Sequence, residues 1–380
     1  MTSPLHIVHG VLSLDVGGLE RIVLNLTRTA YRAGHRVNIL CIEKPGILAT
    51  EAEAMGASVH SLDKPSGRHP DYVQRAKSVL SDWKPDIIHS HQIGASWYLG
   101  QAARQVGHLP VLHTEHGNEF SRAANWRQSL KSRLFMHQTA KFIDRFCCVS
   151  AEIARVVTRW RTIPKSKVEV IANGIETEWS DDLPSPESVR ASLGIPASAR
   201  VIGTVGRLAE VKRQDLLIRA IAALKDRFPV VRLLLVGDGD ERDRLESLAG
   251  ELKVTERVHF AGYQSKPEQF LRAMDIFALT SRSEGFPISL LEAWVAGLPI
   301  VCSAVGGIPD VVTHERNGLL FPSGDETALV AHFARLLSDP TFGRSLGDDG
   351  NRTVRNLYSL NRVADVYERH YRTLIAERPK

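Results

Sequence analysis

Two kinds of hydrophobic pattern alternate along the chain. Short apolar runs rich in β-branched residues alternate with longer stretches in which apolar residues recur at helical spacing. The first series predicts a strand at Leu5–Gly10, a helix at Leu19–Ala33 that ends at Gly34, and a strand at Arg36–Ile42. Strands that alternate with helices in this way predict a parallel sheet covered by helices on its faces.

The same alternation continues through two halves of the chain. In the first half the remaining predicted strands are Ala57–Leu62, Asp86–Ser90, Pro110–Thr114, Phe146–Val149 and Val168–Ile171. In the second half they are Val201–Val205, Val231–Val236, Val258–Phe260, Ile276–Thr280 and Ile300–Ser303. Each half therefore predicts a doubly wound α/β domain.

Turn-forming residues separate the two halves. The stretch Asn173–Glu187 contains an Asn-Gly step, the acidic pair Asp181 and Asp182, and two prolines. After Asp325 the pattern is helical, and its last amphipathic helix is predicted at Asn361–Ile375. We predict a first domain at residues 1–172, a linker at 173–187, a second domain at 188–356 and a C-terminal helix at 357–380 that packs on the first domain.

Bulk composition is consistent with two soluble domains. A chain of 380 residues exceeds one ordinary hydrophobic core, and 43% hydrophobic with 24% charged residues is typical of globular proteins. No apolar run approaches the ~20 residues of a membrane span, and Met1–Pro4 shows no signal-peptide pattern, so we expect a cytoplasmic protein. The four cysteines lack CxxC spacing and are expected to be reduced thiols in the core.

The net charge of +5 does not identify a binding partner, since nucleic acid, an anionic membrane and a phosphorylated substrate would all be attracted to a basic protein.

The most informative segment is Ser281–Gly297, which follows a predicted strand and opens a helix. Pro287 suits the first helical position. Glu284 before the helix and Glu292 inside it could accept hydrogen bonds from a sugar diol, or could simply balance the helix dipole and face solvent.

Two glutamates separated by seven residues and followed by the turn Gly297-Leu-Pro resemble the E-x7-E signature of retaining glycosyltransferases of family 4, which have the GT-B fold. The resemblance extends in order along nearly the whole chain. It implies that the donor sugar nucleotide is contacted by Glu284, Gly285, Phe286, Ile288 and Glu292.

Other segments of the second half resemble further parts of this family. Val205–Leu217 resembles its phosphate-clamp segment, in which Arg207 and Lys212 would hold the diphosphate. Fixed cations there would stabilise the negative charge that accumulates on a pyrophosphate leaving group. The strand-and-turn segments 233–240 and 258–263 resemble the nucleotide pocket, with donor contacts at Gly237, Tyr263 and Gln264, and segments 304–310 and 317–321 resemble its closing turns.

In the first half, Gly17 and Gly18 open a helix and would let the backbone approach the donor closely. His116, at the end of His113–Gly117, resembles the family histidine that contacts the donor sugar near its reacting carbon. The catalytic residues that the resemblance implies are thus His116, Glu284, Arg207 and Lys212. His113, Glu115 and His116 also suggest a zinc site, but further ligands at suitable spacing are not evident.

Asp238-Gly-Asp240 matches the D-x-D metal motif of the other large glycosyltransferase fold. Because it lies between a buried strand and an amphipathic helix, we interpret it as a helix cap and expect neither a metal nor a cofactor. The basic amphipathic segment 125–146, which includes Lys131, Arg133 and Leu134, could dock on an anionic membrane or could be an ordinary surface helix.

The alternating pattern predicts an α/β protein, and the resemblance implies that it is of the GT-B type, with two Rossmann-like domains that face each other across a cleft. The activity that the resemblance implies is metal-independent, retaining transfer of a sugar from a nucleotide diphosphate sugar to a glycan or lipid-linked acceptor, in the synthesis of cell-surface polysaccharide or glycolipid. The alternatives are a nucleotide-sugar epimerase and a non-catalytic nucleotide-sugar sensor. We expect a peripheral association with the inner face of the membrane as a further partner, and no nucleic acid.

Overall fold

A computed structural model describes residues 3–15, 17–117, 126–159, 163–179 and 182–378, with the backbone alone at 126–129. Met1, Asp181 and the first residue of the basic segment 125–146, for which predictions were made above, lie outside the described residues. The chain divides into two compact units: Met1–Ile175 with Leu360–Lys380, and Glu176–Ser359. The change of unit at 175 and 176 falls inside the stretch 173–187 that the turn residues indicate.

The first unit contains a parallel sheet of seven strands among the described residues, in the order β3-β2-β1-β4-β5-β6-β7. Its strands are β1 (His6–Val11), β2 (Arg36–Cys41), β3 (Ser58–Ser61), β4 (Ile87–Ser90), β5 (Val111–Glu115), β6 (Arg145–Cys148) and β7 (Val168–Val170). The helices between them are α1 (Gly18–Arg32), α2 (Ala49–Ala54), α3 (Tyr72–Trp83), α4 (Ile93–Gln105), α5 (Trp126–Ala140) and α6 (Ala151–Arg159). Every residue of β1, β4 and β5 is buried, as expected for central strands covered on both faces.

The second unit has a parallel sheet of six described strands, in the order β10-β9-β8-β11-β12-β13. The strands are β8 (Arg200–Val205), β9 (Val231–Val236), β10 (Val258–Gly262), β11 (Ile276–Leu279), β12 (Ile300–Ser303) and β13 (Leu319–Phe321). The helices are α7 (Pro186–Ser192), α8 (Gln214–Leu224), α9 (Arg242–Glu251), α10 (Glu268–Arg272), α11 (Ile288–Val295), α12 (Ile308–Val311), α13 (Glu326–Ser338) and α14 (Pro340–Leu357). A core of leucine, isoleucine and valine side chains joins β8, β9 and β11 to α8 and α13.

Local chemistry fixes several helix ends in this unit. Ser185 accepts a hydrogen bond from the backbone N–H of Ser188 at the start of α7, and Asp325 accepts one from Ala328 at the start of α13. The helical pattern that the sequence places after Asp325 is therefore confirmed. Strand β13 was not predicted, because three apolar residues are too few to show a period.

The last helix, α15 (Leu360–Ala376), belongs to the first unit and packs against α1. The hydroxyl groups of its buried Tyr367 and Tyr371 reach polar side chains at β5 and β4. None of the described helices combines the length and the apolar character that spanning a membrane would require. All four cysteines are buried and have free thiols, as expected from their spacing.

Candidate active site

The predicted site residues of the second unit lie at the carboxyl ends of its strands, where helix N-termini direct free N–H groups outward. β8 ends at Val205 and is followed by Gly206, Arg207 and a 3-10 turn, Glu210–Lys212. β11 ends at Leu279, and the next segment carries Glu284 before α11 begins. Because β8 and β11 are neighbours in the sheet, the two segments meet.

Lys212 and Glu284 form an ion pair that the sequence did not predict. Nζ of Lys212 donates to Oε1 of Glu284 at 2.7 Å, and the Ser281 hydroxyl donates to the same oxygen at 2.6 Å. The Glu284 side chain is only 8% exposed and that of Lys212 is 28% exposed. Both described hydrogen bonds to this carboxylate use Oε1, so Oε2 is available to a ligand hydroxyl group.

Hydrogen bonds to backbone carbonyl groups also hold the two segments together. The hydroxyl group of Thr280 donates to the carbonyl oxygens of Lys212 and Arg213, at 3.0 and 2.8 Å. The N–H of Arg282 donates to the carbonyl of Val211 at 2.8 Å. The ammonium group of Lys212 is therefore positioned from both its own loop and the β11 loop.

Arg207 differs from Lys212 in its surroundings. Its side chain is exposed, and among the described residues its guanidinium group has no hydrogen bond or ion pair. Its carbonyl oxygen is fixed by Nε2 of Gln214 at 2.9 Å. An anion could therefore bind Arg207 without breaking an existing ion pair. An anion that binds Lys212 would accept from the N–H groups of its ammonium that do not donate to Glu284.

Glycines allow the neighbouring loops to touch. Gly237, after β9, has φ 139°, and a Cβ there would lie 2.0 Å from the carbonyl oxygen of Gly206. Gly306 has φ 60°, and a Cβ there would lie 1.8 Å from the carbonyl oxygen of Glu284. The N–H of Gly307 also donates to the carbonyl of Gly285 at 3.0 Å. Close backbone packing thus fixes the loops on either side of the ion pair.

The remaining predicted donor contacts fall around the same loops. Phe286 is buried, with its ring 5.6 Å from that of Tyr358, and Ile288 is the first residue of α11. Glu292 lies one turn into that helix and is partly exposed. Tyr263 follows β10 and is 47% exposed, while Nε2 of Gln264 donates to the carbonyl of Ala261 at 2.6 Å.

Two local predictions were wrong. Pro287 is the N-cap of α11, with extended ψ of 119°, instead of its first helical residue. The helix-cap interpretation of Asp238 and Asp240 also fails, because α9 begins at Arg242 and its N-cap, Glu241, makes no side-chain cap. Oδ1 of Asp238 instead accepts a hydrogen bond from the N–H of Gly239 at 2.9 Å, since the extra turn moves the helix start beyond its reach.

In the first unit, Gly17 is the N-cap of α1 and Gly18 is its exposed first residue. Gly17 has an extended backbone that any residue could adopt. A Cβ there would lie 2.2 Å from Oε2 of Glu20, the end of a flexible side chain that could move aside. Burial raises the pKa of Glu20, which lies in the first turn of the helix.

His116 lies just after β5, is half-buried, and forms a hydrogen-bonded group with the buried His91 and His9 that the sequence did not predict. Its Nε2 is 3.1 Å from Nδ1 of His91, and Nε2 of His91 is 2.9 Å from Nδ1 of His9. His113 instead bonds to the hydroxyl group of Ser96 at 2.8 Å. The sequence does show a histidine at or near the end of each of three predicted strands, which could have indicated a cluster. Only the strand order shows that these three strands are neighbours and that the histidines meet.

Burial determines the charge of this group. It lowers the pKa of His9 and of His116 to about 3 and that of His91 well below its ordinary value. These imidazoles are therefore neutral at physiological pH. His9, His89 and His91 offer nitrogens within 4.8 Å of one another, a spacing that could hold a metal ion.

A parallel α/β unit with a cation pair and a glutamate at its strand ends is typical of enzymes that bind phosphorylated ligands. Two family models match the chain: glycosyltransferase family 4 over residues 16–179 and glycosyl transferases group 1 over residues 186–353. The lipopolysaccharide core biosynthesis glycosyltransferase LpsD of Rhizobium meliloti is 30% identical over 92% of this chain and 94% of its own. The chain belongs to the family 4 glycosyltransferases.

Other comparisons agree with this family. A D-inositol 3-phosphate glycosyltransferase of Salinispora tropica is 29% identical over 97% of this chain and 83% of its own. The crystal structure of Anabaena Alr3699/HepE in complex with UDP-glucose has a TM-score of 0.85 and 21% identity, covering 97% of this chain and 100% of that one. The predicted family, the GT-B fold class and glycosyltransferase activity are thereby confirmed.

Proposed function

We propose that this glycosyltransferase transfers a sugar from a nucleotide diphosphate sugar to an acceptor hydroxyl group, with retention of configuration and without a divalent metal. The observation that carries the proposal is the ion pair of Lys212 and Glu284 beside the exposed Arg207. Support for the donor class comes from HepE, whose structure holds UDP-glucose.

The two cations have distinct parts in this reaction. A diphosphate gains negative charge as the glycosidic bond breaks, and preorganised cations stabilise that charge. Arg207 would bind phosphate oxygens with a guanidinium group that has no other described ion-pair partner. Lys212 has three N–H donors, of which Glu284 takes one, so that two remain for the diphosphate.

The two glutamates would bind the hydroxyl groups of the donor. Oε2 of Glu284 can accept from a sugar hydroxyl while Oε1 holds Lys212 and Ser281. Glu292, one turn into α11, is assigned to the ribose hydroxyl groups. The nucleotide base would lie near Tyr263 and Gln264. This assigns the donor to the second unit and the acceptor to the first.

Retention would follow from attack on the same face as the departing diphosphate, with a phosphate oxygen assisting deprotonation of the acceptor. His116 would contact the sugar near its reacting carbon. The test is NMR of the purified product, in which the anomeric configuration should match that of the donor. An inverted product would contradict the proposed mechanism.

The donor and the metal requirement can be tested together. Nucleotide release is measured with uridine, guanosine and adenosine diphosphate sugars in excess EDTA, using wild type and Asp238→Asn. We expect full activity in both proteins, because Asp238 makes only a local bond to Gly239. Activity that requires magnesium or manganese and is lost in Asp238→Asn would contradict metal independence. Sugar conversion without an acceptor would indicate an epimerase, and binding without turnover a sensor.

We further propose that the acceptor is a glycan or lipid-linked molecule of cell-surface polysaccharide synthesis, reached from the cytoplasmic face of the membrane. LpsD, named for lipopolysaccharide core biosynthesis, supports the pathway. On α5, Leu130 and Leu134 are 50% and 53% exposed and Lys131 lies beside them. The helix ends at Ala140, so the basic segment predicted to extend to residue 146 is shorter as a helix.

Liposome co-sedimentation tests this surface. Wild type should sediment with vesicles that contain acidic phospholipid and remain in solution with neutral ones. Leu130→Asn with Leu134→Asn should reduce sedimentation, whereas Leu357→Asn, at an equally exposed leucine of the second unit, should not. Equal recovery with both kinds of vesicle would contradict membrane association.

A further inference from the structure

Three imidazoles form a hydrogen-bonded chain in the first unit. His9 lies in β1, His91 follows β4 and His116 follows β5, and these three strands are neighbours in the sheet. The chain runs from Nε2 of His116 to Nδ1 of His91 at 3.1 Å, and from Nε2 of His91 to Nδ1 of His9 at 2.9 Å. His91 thus uses both of its ring nitrogens within the chain.

The rings are neutral, as their lowered pKa values show, and a neutral imidazole carries one N–H. Each of the two bonds needs one hydrogen between its nitrogens. Only two arrangements satisfy both bonds: the hydrogen is on Nε2 of every ring, or on Nδ1 of every ring. Mixed arrangements place two hydrogens or two lone pairs in one bond. The tautomer of His116 is therefore tied to those of His91 and His9.

The ends of the chain favour one arrangement. Nδ1 of His116 is buried and has no hydrogen-bond partner among the described residues. A buried N–H without a partner is rarer than a buried acceptor without one, which favours a lone pair at this nitrogen. At the other end, His9 lines a cavity of about 50 Å³ together with Thr29 and Glu368, large enough for a water molecule that could accept its Nε2–H.

A fourth histidine holds the middle of the chain in place. The ring of His89 lies 4.0 Å from that of His91, tilted by 32°. Its Nδ1 is 2.6 Å from the hydroxyl of Tyr371, and its Nε2 is 2.8 Å from that of Thr114. A metal ion bound to His89 would have to displace at least one of these two hydrogen bonds.

We propose that His91 and His9 are positioning residues that hold His116 in the tautomer protonated at Nε2, so that its Nδ1 is a hydrogen-bond acceptor for a substrate hydroxyl group. This rests on the proposed function, in which His116 contacts the donor sugar. The two nitrogens of His91 have different roles. Nδ1 accepts the hydrogen bond from Nε2 of His116 and so fixes its tautomer, whereas Nε2 holds the ring of His91 in place through its bond to His9.

Two substitutions separate these sides. In His91→Asn the side-chain amide takes the place of Nδ1 and keeps the bond to His116, while in His91→Gln it takes the place of Nε2 and keeps the bond to His9. Each variant retains one bond, so a purely structural role predicts similar losses in both. We expect His91→Asn to retain kcat within about threefold and His91→Gln to lose about tenfold, the scale of one neutral hydrogen bond, with the donor KM unchanged in both.

The tautomer is read directly by nitrogen NMR on protein labelled with ¹⁵N-histidine and free of substrate, with the His116 signals assigned from a His116→Gln spectrum. Wild type and His91→Asn should show a protonated Nε2 and a bare Nδ1 at His116, and His91→Gln should show an altered or averaged pattern. A hydrogen on Nδ1 in wild type, or equal kcat losses in the two variants, would overturn the proposal.

Metal analysis of the purified protein gives a further check. Stoichiometric zinc that is lost in His91→Gln would overturn the proposal in favour of a metal site. Because the NMR measurement uses no substrate, a wild-type protein that shows the expected tautomer but transfers no sugar would refute the proposed function alone.

Discussion

Substitutions in the ion pair of Lys212 and Glu284 can separate the role of Lys212 in binding diphosphate from its role in stabilising the fold. The substitutions are Lys212→Met, Glu284→Gln and the two combined. Methionine keeps an unbranched chain without the charge. Glutamine keeps an oxygen that can accept from the Ser281 hydroxyl, which donates to this group at 2.6 Å.

The expected effect on stability follows from the geometry. The ammonium group of Lys212 lies 2.7 Å from a carboxylate whose side chain is 8% exposed, while its own side chain is 28% exposed. A hydrogen bond between charged groups contributes roughly 1.5–3 kcal/mol, and the exposure of Lys212 places this one near the lower end. We expect each single variant to lose about 1–2 kcal/mol, and the double variant to lose less than their sum by about 1 kcal/mol.

Activity should follow a different pattern. If Lys212 stabilises the leaving diphosphate, its replacement lowers kcat by about 10²–10³ whether residue 284 is Glu or Gln. If Lys212 serves only to neutralise Glu284, the double variant should be as active as Glu284→Gln alone.

The measurements are urea unfolding and the initial rate of nucleotide release in EDTA for all four proteins. Strictly additive stabilities would refute the ion pair. A double variant that recovers the rate of Glu284→Gln would refute the assignment of Lys212 to the diphosphate, and Arg207 would remain as its sole assigned cation.

Three further predictions concern other parts of the two units. Glu292→Ala should weaken donor binding about tenfold to a hundredfold by titration calorimetry, since a charge-assisted hydrogen bond to ribose is lost; unchanged affinity would remove it from the site. Gly237→Ala should destabilise the fold by roughly 2 kcal/mol or more in urea, and more than Gly206→Ala, because both have positive φ but only the Gly237 Cβ would strike a backbone oxygen. The pKa of His9 and of His116 falls from 6.5 to about 3 on folding, so the unfolded chain binds more protons than the folded one between these pH values. The stability contributed by these neutral rings should therefore be full above pH 6.5. The free energy of unfolding should fall by on the order of 2 kcal/mol per histidine as the pH drops to 4.5. Urea unfolding that is independent of pH in that window would contradict neutral burial of these rings.

The sequence predicted the sheet strands well because buried parallel strands are continuous apolar runs bounded by turn residues. Val231–Val236 and Ile300–Ser303 agree with the structure at both ends, and most others agree within one or two residues. One error occurred where a short polar residue has several possible local partners. Asp238 could cap a helix or bond to the next N–H, and only the actual start of α9 decides between them.

The candidate site was predictable in part. The resemblance to family 4 placed Lys212 and Glu284 in one pocket, but not in contact with each other. The chain of His116, His91 and His9 could not be predicted, because it depends on strand order. Residues 9, 91 and 116 are far apart in sequence, and a histidine near a strand end is compatible with several sheet orders.

Strand order also explains why the polar groups gather where they do. In the first sheet β2 and β3 lie on one side of β1, and β4 lies on the other. In the second sheet β9 and β10 lie on one side of β8, and β11 lies on the other. At such a switch point the loops leave the sheet in opposite directions and open a crevice beyond the strand ends. His9 and His91 come from the two strands at the first switch point, and Lys212 and Glu284 follow the two strands at the second. Each cluster therefore joins segments 72 or more residues apart because the winding of its sheet reverses between them.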